Sequence, residues 1–299
     1  MMSKPGEQFL GIDIGVTNVK WARVRDDGTV VARGMFDTEA NSPDWPVRIR
    51  QFVNSHPSTA AVGLAAPGLS APDGSYISWM QGRLETVQGL NWTEFLGCTL
   101  PVPVLNDAQA ALLGEAWIGA AAGSRNAMLL TLGTGVGGAL MVDGKLLRGH
   151  IGRAGHLGHI CLDPDAPPDI VGTPGSLEDA IGNCTLSQRS NGRFTSTHDL
   201  IAAHLAGDAD ATGIWLRSVR LLACGIASLV NVADPEMVII GGGIARAGPA
   251  LFEPLGKELE KIEWQPHGQR VRIVRAVLGE YAGAIGAARK AIESADRQA

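Results

Sequence analysis

The chain has 299 residues, 45% of them hydrophobic, enough for two cores and long for one. Its formal net charge of −5 argues against nucleic acid as an obligate partner, because a phosphate backbone needs a basic footprint. Gly accounts for 39 residues without a short period, which points to tight turns and excludes a collagen-like or low-complexity chain.

Residues 1–8 (MMSKPGEQ) are polar, so no signal peptide is expected, and no apolar run approaches the length of a membrane span. Residues 9–25 then read as strand, turn, strand. Phe9, Leu10 and Ile12 are apolar, Asp13 lies among them, Gly15 turns, Thr17 and Asn18 follow, and Val19 to Val24 resume the strand. Asp26-Asp27-Gly28 closes a further hairpin to Thr29–Ala32. Asp44–Ser55 suits a helix that Pro43 and Pro46 confine to a late start. Ala60–Ala66 is a buried strand stopped by Pro67-Gly68. Leu69–Gly97 reads as a long irregular loop, its Trp79, Gln88, Asn91 and Trp92 suiting a binding rim.

Pro101–Leu105 is a short strand running into Asn106-Asp107 and a helix over Ala108–Ala116. Two readings stand for this pair. One residue caps the helix, as Asn and Asp commonly do. Alternatively Asp107 is a general base, kept ionised by the helix N-terminus.

The stretch Ala127–Gly138 (AMLLTLGTGVGG) repeats the grammar of the first hairpin. Its strand ends in Gly133, Gly135, Gly137 and Gly138, which let backbone N–H groups approach an anion, and Thr131 and Thr134 add hydroxyls. Ala139–Val142 resumes the strand and Asp143-Gly144 turns it again. Two such units suggest related halves gripping one polyphosphate, with Asp13 suited to Mg²⁺. Neither is a Walker loop or a GxGxxG fingerprint.

His150, His156, His159 and Cys161 invite a metal reading, but no second ligand cluster follows. Cys98, Cys161, Cys184 and Cys224 are widely spaced and read as reduced, mostly buried thiols of a cytoplasmic protein. Glu178 falls in the first turn of a helix opened by Ser176. Ser187–Ser196 is polar and reads as a hinge or surface turn. His198–Ala206 and Gly213–Val232 are helical, the second a core helix in which Cys224 is packing. Met237–Ile240 is a strand ending in Gly241-Gly242-Gly243, followed by a helix over Ala245–Leu259. Arg270–Val277 is the last strand, and Tyr281–Ala295 a small-residue helix.

Taken together, DIGVTNVK, AAPG, LNDAQAA, LGTGVGG, AGHLGH, NVADPEMVIIGGG and AGAIGAA, in that order over nearly the whole chain, resemble the ROK family of bacterial sugar kinases and repressors. The resemblance implies an α/β fold: two ribonuclease H-like (actin/hexokinase-type) domains with a central cleft. Residues 1–118 plus about 286–299 would form one domain and 119–285 the other. It implies an ATP-dependent carbohydrate kinase, phosphorylating a hexose or related sugar at the 6-hydroxyl with ATP and Mg²⁺. Asp13, Gly15, Thr17 and Asn18 would form the first phosphate loop, with Asp13 toward Mg²⁺ through the phosphates. Thr134, Gly135 and Gly137 would form the second loop, and Gly242 and Gly243 would lie against adenosine. Gly68, Asn106, Asp107, His156, His159 and Glu178 would bind the sugar, with Asp107 the catalytic base. A homodimer is implied.

The chain departs from the family pattern at three places. Val16 replaces the second Gly of the first loop, at some expense in backbone freedom. The family's zinc ligands are a His and three Cys; His159 remains, but the Cys positions are Asp169, Val171 and Ser176, so no zinc is expected. His156 replaces the usual sugar-binding Glu, which puts an imidazole donor and acceptor where a carboxylate only accepts. Three alternatives to an ATP-dependent kinase follow: a weakened sugar-binding protein, a polyphosphate-using kinase, and a repressor. The last lacks room for a DNA-binding domain before Asp13.

Overall fold

The computed structural model describes residues 6–81 and 84–298, so most of the polar segment 1–8 lies outside the described residues. In chain order the elements begin with strands β1 (Gln8–Ile14), β2 (Asn18–Arg25) and β3 (Val30–Asp37), helix α1 (Trp45–Asn54) and strand β4 (Ala61–Ala66). A small hairpin, β5 (Leu69–Ser70) and β6 (Ile77–Trp79), precedes helix α2 (Trp92–Leu96), strand β7 (Val104–Asn106) and helix α3 (Asp107–Ile118). Next come β8 (Ala127–Leu132), β9 (Val136–Val142), β10 (Lys145–Leu146) and the helices α4 (Leu177–Ile181), α5 (Leu186–Arg189), α6 (Thr197–Leu205) and α7 (Ala209–Ala233). Strand β11 (Met237–Gly241), helix α8 (Pro249–Ile262), strand β12 (Arg272–Arg275) and helix α9 (Ala282–Asp296) complete the chain.

The chain divides into two compact units. The first takes the residues up to Gly123, Leu146–Ala154 and everything from Val277 onward; the second takes Ser124–Lys145 and Gly155–Ala276. Each holds a five-stranded sheet, ordered β3-β2-β1-β4-β7 in the first and β10-β9-β8-β11-β12 in the second. Each sheet consists of three antiparallel strands joined by hairpins, then two parallel ones. The halves read from the sequence are therefore one topology used twice, the mixed α/β arrangement of the ribonuclease H type.

In the first unit the period of two along β1 sorts its side chains. Leu10, Ile12 and Ile14 pack with Trp45, Ile49 and Trp92 of α1 and α2. Phe9 packs on the opposite face with Ala284, Ala288 and Ile292 of α9. Gly11 shares that face, and a Cβ there would sit 1.8 Å from the carbonyl of Ala284. The small residues of α9 thus let its backbone lie directly on the sheet. Asp13 is next on the same face, at the strand's C-terminal end.

In the second unit Met128, Leu130 and Leu132 of β8 and Val238 and Ile240 of β11 pack with Trp215, Val219, Leu222 and Ile226 of α7. By length and composition α7 passes for a membrane span. Its apolar side is spent on this core.

Several elements differ from expectation. The 69–97 stretch is no bare loop: it holds the β5–β6 hairpin, a 3-10 turn at Glu85–Val87 and α2, capped by Asn91. Pro46 does not delay α1, because it falls in the first turn, where its missing N–H has no intrahelical partner to lose. The expected helix over Ala245–Leu259 is broken by Gly248 (φ +56°) into a 3-10 turn and α8. The Ser187–Ser196 hinge is instead anchored structure. Arg189 donates to Thr185 Oγ1, Ser218 Oγ and the Gly182 carbonyl, and Phe194 is buried. The cysteines are free thiols, but none is buried: Cys161 and Cys184 are exposed and Cys98 and Cys224 half-buried. Cys184 stands in a polar 3-10 turn, where the local sequence demands solvent.

Candidate active site

The first unit gathers Asp13, Lys20, Gly68, Asn106 and Asp107 around the C-terminal ends of β1, β4 and β7. Asn106 ends β7 and is the N-cap of α3: its Oδ1 accepts from Ala108 N at 3.0 Å and Gln109 N at 3.3 Å. Its Nδ2 donates to the Gly68 carbonyl at 3.1 Å, which ties the Pro67-Gly68 turn to the helix start. Gly68 has φ +97°, and a Cβ there would meet the Trp79 carbonyl at 2.4 Å, so only glycine fits this turn. The capping reading of the Asn106-Asp107 pair holds for Asn106. Asn106 does the capping, and Asp107, the first helical residue, is left exposed.

Asp13 pairs across the hairpin with Lys20 in the β1–β2 register. Burial, and after it the neighbouring Asp107 carboxylate, pushes Asp13 up to about 7, while Lys20 pulls it down. Gly283 of α9 makes room for this carboxylate, since a Cβ there would lie 2.4 Å from Asp13 Oδ2. The turn itself is held by Gly15 N donating to the Asn18 carbonyl, and by Thr38 Oγ1 donating to the Gly15 carbonyl and Thr38 N to that of Thr17. Val16 does not have a positive φ, so the position needs none of glycine's freedom, and its side chain joins the core beside α1. Thr17 is exposed on the turn and Asn18 begins β2.

A hard cation suits this end of the sheet. Asp13 is a carboxylate opposed by one Lys, and Mg²⁺ is ordinarily held by one or two carboxylates plus substrate phosphates. Among the described residues no group of three or more His, Cys, Asp or Glu side chains is placed to hold a metal on its own.

The second unit gathers Thr134, Gly135, Gly137, Glu178, His156, His159, Gly242 and Gly243 around the β8–β9 turn. Gly133 N donates to the Gly135 carbonyl, and the carbonyls of Gly133 and Thr134 accept from Asn183 N and Cys184 N. Glu178 Oε2 accepts from Val136 N at 2.9 Å, and a Cβ on Gly135 would sit 2.2 Å from that oxygen. Gly242 has φ +84°, with the Leu132 carbonyl 2.2 Å from where a Cβ would be. A pocket of about 730 Å³ opens here, within the usual range for a small-molecule site. Gly133, Thr134, Asn183, Thr197 and Gly243 form its polar wall, and Ile201, Leu205, Ile244 and Ala247 its apolar side. Asn183 joins the walls: its backbone binds the turn, and its Oδ1 accepts from the N–H and hydroxyl of Thr197. An anion-accepting turn beside an apolar slot matches what a nucleotide offers.

The segment 155–160 lies on β9, where a Cβ on Gly158 would be 2.0 Å from the Val136 carbonyl. His156 and His159 are both half-buried. His159 Nδ1 is 2.8 Å from Asp169 Oδ2. Zinc does not fit the residues at the family's metal positions. Val171 has no ligating atom, Ser176 Oγ caps α4 by accepting from Asp179 N, and Asp169 already accepts from His159, Val171 N and Thr173 N.

Sequence reasoning missed Lys20, Asn183, Thr197 and the apolar wall of the pocket. Lys20 was readable from the hairpin register, which sets it opposite Asp13. Asn183 and Thr197 carry no local signal, because they meet the turn only through the fold.

The model of the ROK family matches residues 9–293. The chain is 31% identical to a glucokinase of Thermotoga maritima, over 95% of this chain and 97% of that protein. It is 36% identical to the bifunctional enzyme NanE/NanK of Brucella melitensis, over 96% of this chain and 54% of that one. It superposes with a TM-score of 0.78 on a ROK family glucokinase from Streptomyces griseus in complex with glucose and AMPPNP, at 25% identity over 98% of this chain and 100% of that one. A family match over nearly the whole length, on a duplicated sheet that carries Asp13, Asp107 and the glycine turn at its strand ends, makes the chain a member of the ROK family.

Proposed function

We propose that this ATP-dependent carbohydrate kinase transfers the γ-phosphoryl group of ATP to the 6-hydroxyl of a hexose or related sugar, with Asp107 as the general base. The observation that carries the reading is the division of labour at the start of α3. Asn106 caps the helix N-terminus, while the Asp107 carboxylate, which accepts from Ala108 N at 2.8 Å, is exposed to solvent. It stands beside Asp13, the residue suited to Mg²⁺.

In this reading Asn106 keeps one amide hydrogen for a sugar hydroxyl after its bond to Gly68. Gly68 of the first unit is a further sugar ligand in this reading, and His156, His159 and Glu178 are the ligands that the second unit offers. Asp107 takes the proton of the attacking hydroxyl as the oxygen bonds to phosphorus, and the bond to the ADP oxygen breaks. The Thr134, Gly135 and Gly137 backbone of the second unit receives phosphate, as do Thr17 and Asn18 of the first, on a turn that Gly15 N closes by donating to the Asn18 carbonyl. Gly242 and Gly243 border adenosine in the second unit's pocket. Mg²⁺, near Asp13, would neutralise charge on the phosphate oxygens.

Relatives named as glucokinases and as an N-acetyl-D-glucosamine kinase support a hexose or its N-acetyl derivative as acceptor. The test is Asp107→Asn. Removal of a positioned base lowers kcat by about 10²–10⁴-fold, while sugar binding measured by calorimetry stays within a few-fold. Unchanged kcat contradicts the assignment.

A further inference from the structure

We propose that Asp169 is a positioning residue that orients His159 without a metal, fixing Nδ1–H inward and leaving Nε2 as a hydrogen-bond acceptor for the sugar. The proposal rests on the preceding reading, in which His159 faces the acceptor.

Asp169 is the hub of the 163–176 loop. Its side chain is 0% exposed, and that of His159 26%. Oδ1 accepts from Val171 N at 3.0 Å and Thr173 N at 2.9 Å, closing the turn that Gly172 N and Thr173 O also bridge with the Asp169 backbone. Oδ2 is thereby left for His159 Nδ1 at 2.8 Å. Burial pushes the Asp169 carboxyl up, but the hydrogen bonds from His159, Thr173, Val171 and Ser176 outweigh it and hold the group below the usual range. An ionised carboxylate only accepts, so the proton between the two residues is on Nδ1. In the neutral ring Nε2 then carries a lone pair, and among the described residues it has no hydrogen-bond partner. Asp179 on α4, whose charge is opposed by the field of Arg189, is the other charge facing this pair.

A metal on the Nδ1 lone pair would put the ring proton on Nε2 and make it a donor, whereas the carboxylate holds the proton on Nδ1 and makes Nε2 an acceptor. The sugar must therefore present a hydroxyl hydrogen to His159. A carboxylate-held imidazole is the ordinary way a protein fixes a ring's tautomer and plane.

The test exploits the split between the two oxygens. In Asp169→Asn, the carbonyl oxygen keeps Val171 N and Thr173 N, so the amide NH₂ faces Nδ1 and the proton moves to Nε2. Long-range ¹H–¹⁵N spectra of the whole histidine-labelled protein at neutral pH are expected to show His159 as the Nδ1–H form in the wild type and the Nε2–H form in the variant. The KM for the sugar should rise about tenfold, with KM for ATP and the melting temperature nearly unchanged. An Nε2–H ring in the wild type, zinc bound at one per chain in metal analysis, or an inverted tautomer with an unchanged sugar KM would each overturn the proposal. Should Asp169→Asn not fold, His159→Gln, which leaves the Asp169 turn intact, gives the same selective rise in KM; a normal KM there overturns it. A wild type that turns over no sugar contradicts the kinase reading instead, and leaves the spectra to decide the tautomer.

Discussion

The two hairpins that begin the two sheets share a topology and differ in chemistry. The β1–β2 turn is charged and self-contained: Asp13 and Lys20 face each other, and Gly15, Asn18 and Thr38 fix the bend from within its own three strands. The β8–β9 turn carries no ionisable group and is held from outside, by Glu178 on Val136 N and by the backbone of Asn183 and Cys184. Its own side chains are nearly absent, which frees its N–H groups for a ligand. In the proposed reading, one duplicated element is specialised into a site for a cation and a base, and a cradle for the phosphates. The first tolerates Val16 in place of glycine because its side chains do the work. The second cannot spare its glycines, because its backbone does.

The largest effect separating the hairpins is expected at the charge itself. Asp13→Ala should lower kcat by about 10³-fold, since phosphoryl transfer rests on positioning and charge stabilisation; steady-state assays over a range of Mg²⁺ check this. A loss restored by high Mg²⁺ would sharpen the role to metal affinity alone. Gly135→Ala attacks the other hairpin. Its Cβ would collide with Glu178 Oε2, so the bond to Val136 N is expected to break and KM for ATP to rise about tenfold, with overpacking of about 1–3 kcal/mol read from denaturant melts.

Of the two hairpins, only the first contributes a pH dependence of stability. Asp13 has a folded pKa of about 7 against an unfolded value of 3.8. The folded state therefore holds the proton more tightly, and the free protein loses stability from this group as pH rises from about 4 to about 7, with no further loss above. At 1.4 kcal/mol per unit, discounted for partial solvent access, the loss is roughly 1–3 kcal/mol. The difference in melting temperature between wild type and Asp13→Asn across pH 5–8 should follow that curve; a flat difference would break the account of Asp13. The smallest effect is Val16→Gly. Val16 does not have a positive φ, so restoring glycine gains no needed freedom and should change KM for ATP less than about twofold while lowering stability by about 1 kcal/mol.

The sequence made the hairpins legible because each is a local pattern: apolar strand, glycine or Thr turn, strand. The start of α3 was legible for the same reason, down to the two roles open to Asn106 and Asp107. What stayed hidden depends on residues distant in sequence. Ser187–Ser196 looks like a free surface turn until Arg189 is seen reaching Ser218 on α7, twenty-nine residues on. The wall that Asn183 and Thr197 build has no motif, since the two meet each other and the β8–β9 turn only through the fold. The loss of the metal-binding cysteines was plain in the sequence, but not their replacement, because Asp169 becomes a hub only when its turn closes on His159.

The measurement that tests the central claim most directly is phosphorylation of a panel of hexoses, amino sugars and N-acetyl sugars with Mg-ATP, followed by ADP release and by ³¹P–¹H correlation in the product. The account predicts at least one sugar turned over, with phosphorus coupled to the protons on carbon 6, and turnover lowered about 10²–10⁴-fold in Asp107→Asn. A wild-type protein that binds AMPPNP and a sugar yet transfers nothing, or that transfers equally well without Asp107, would contradict it.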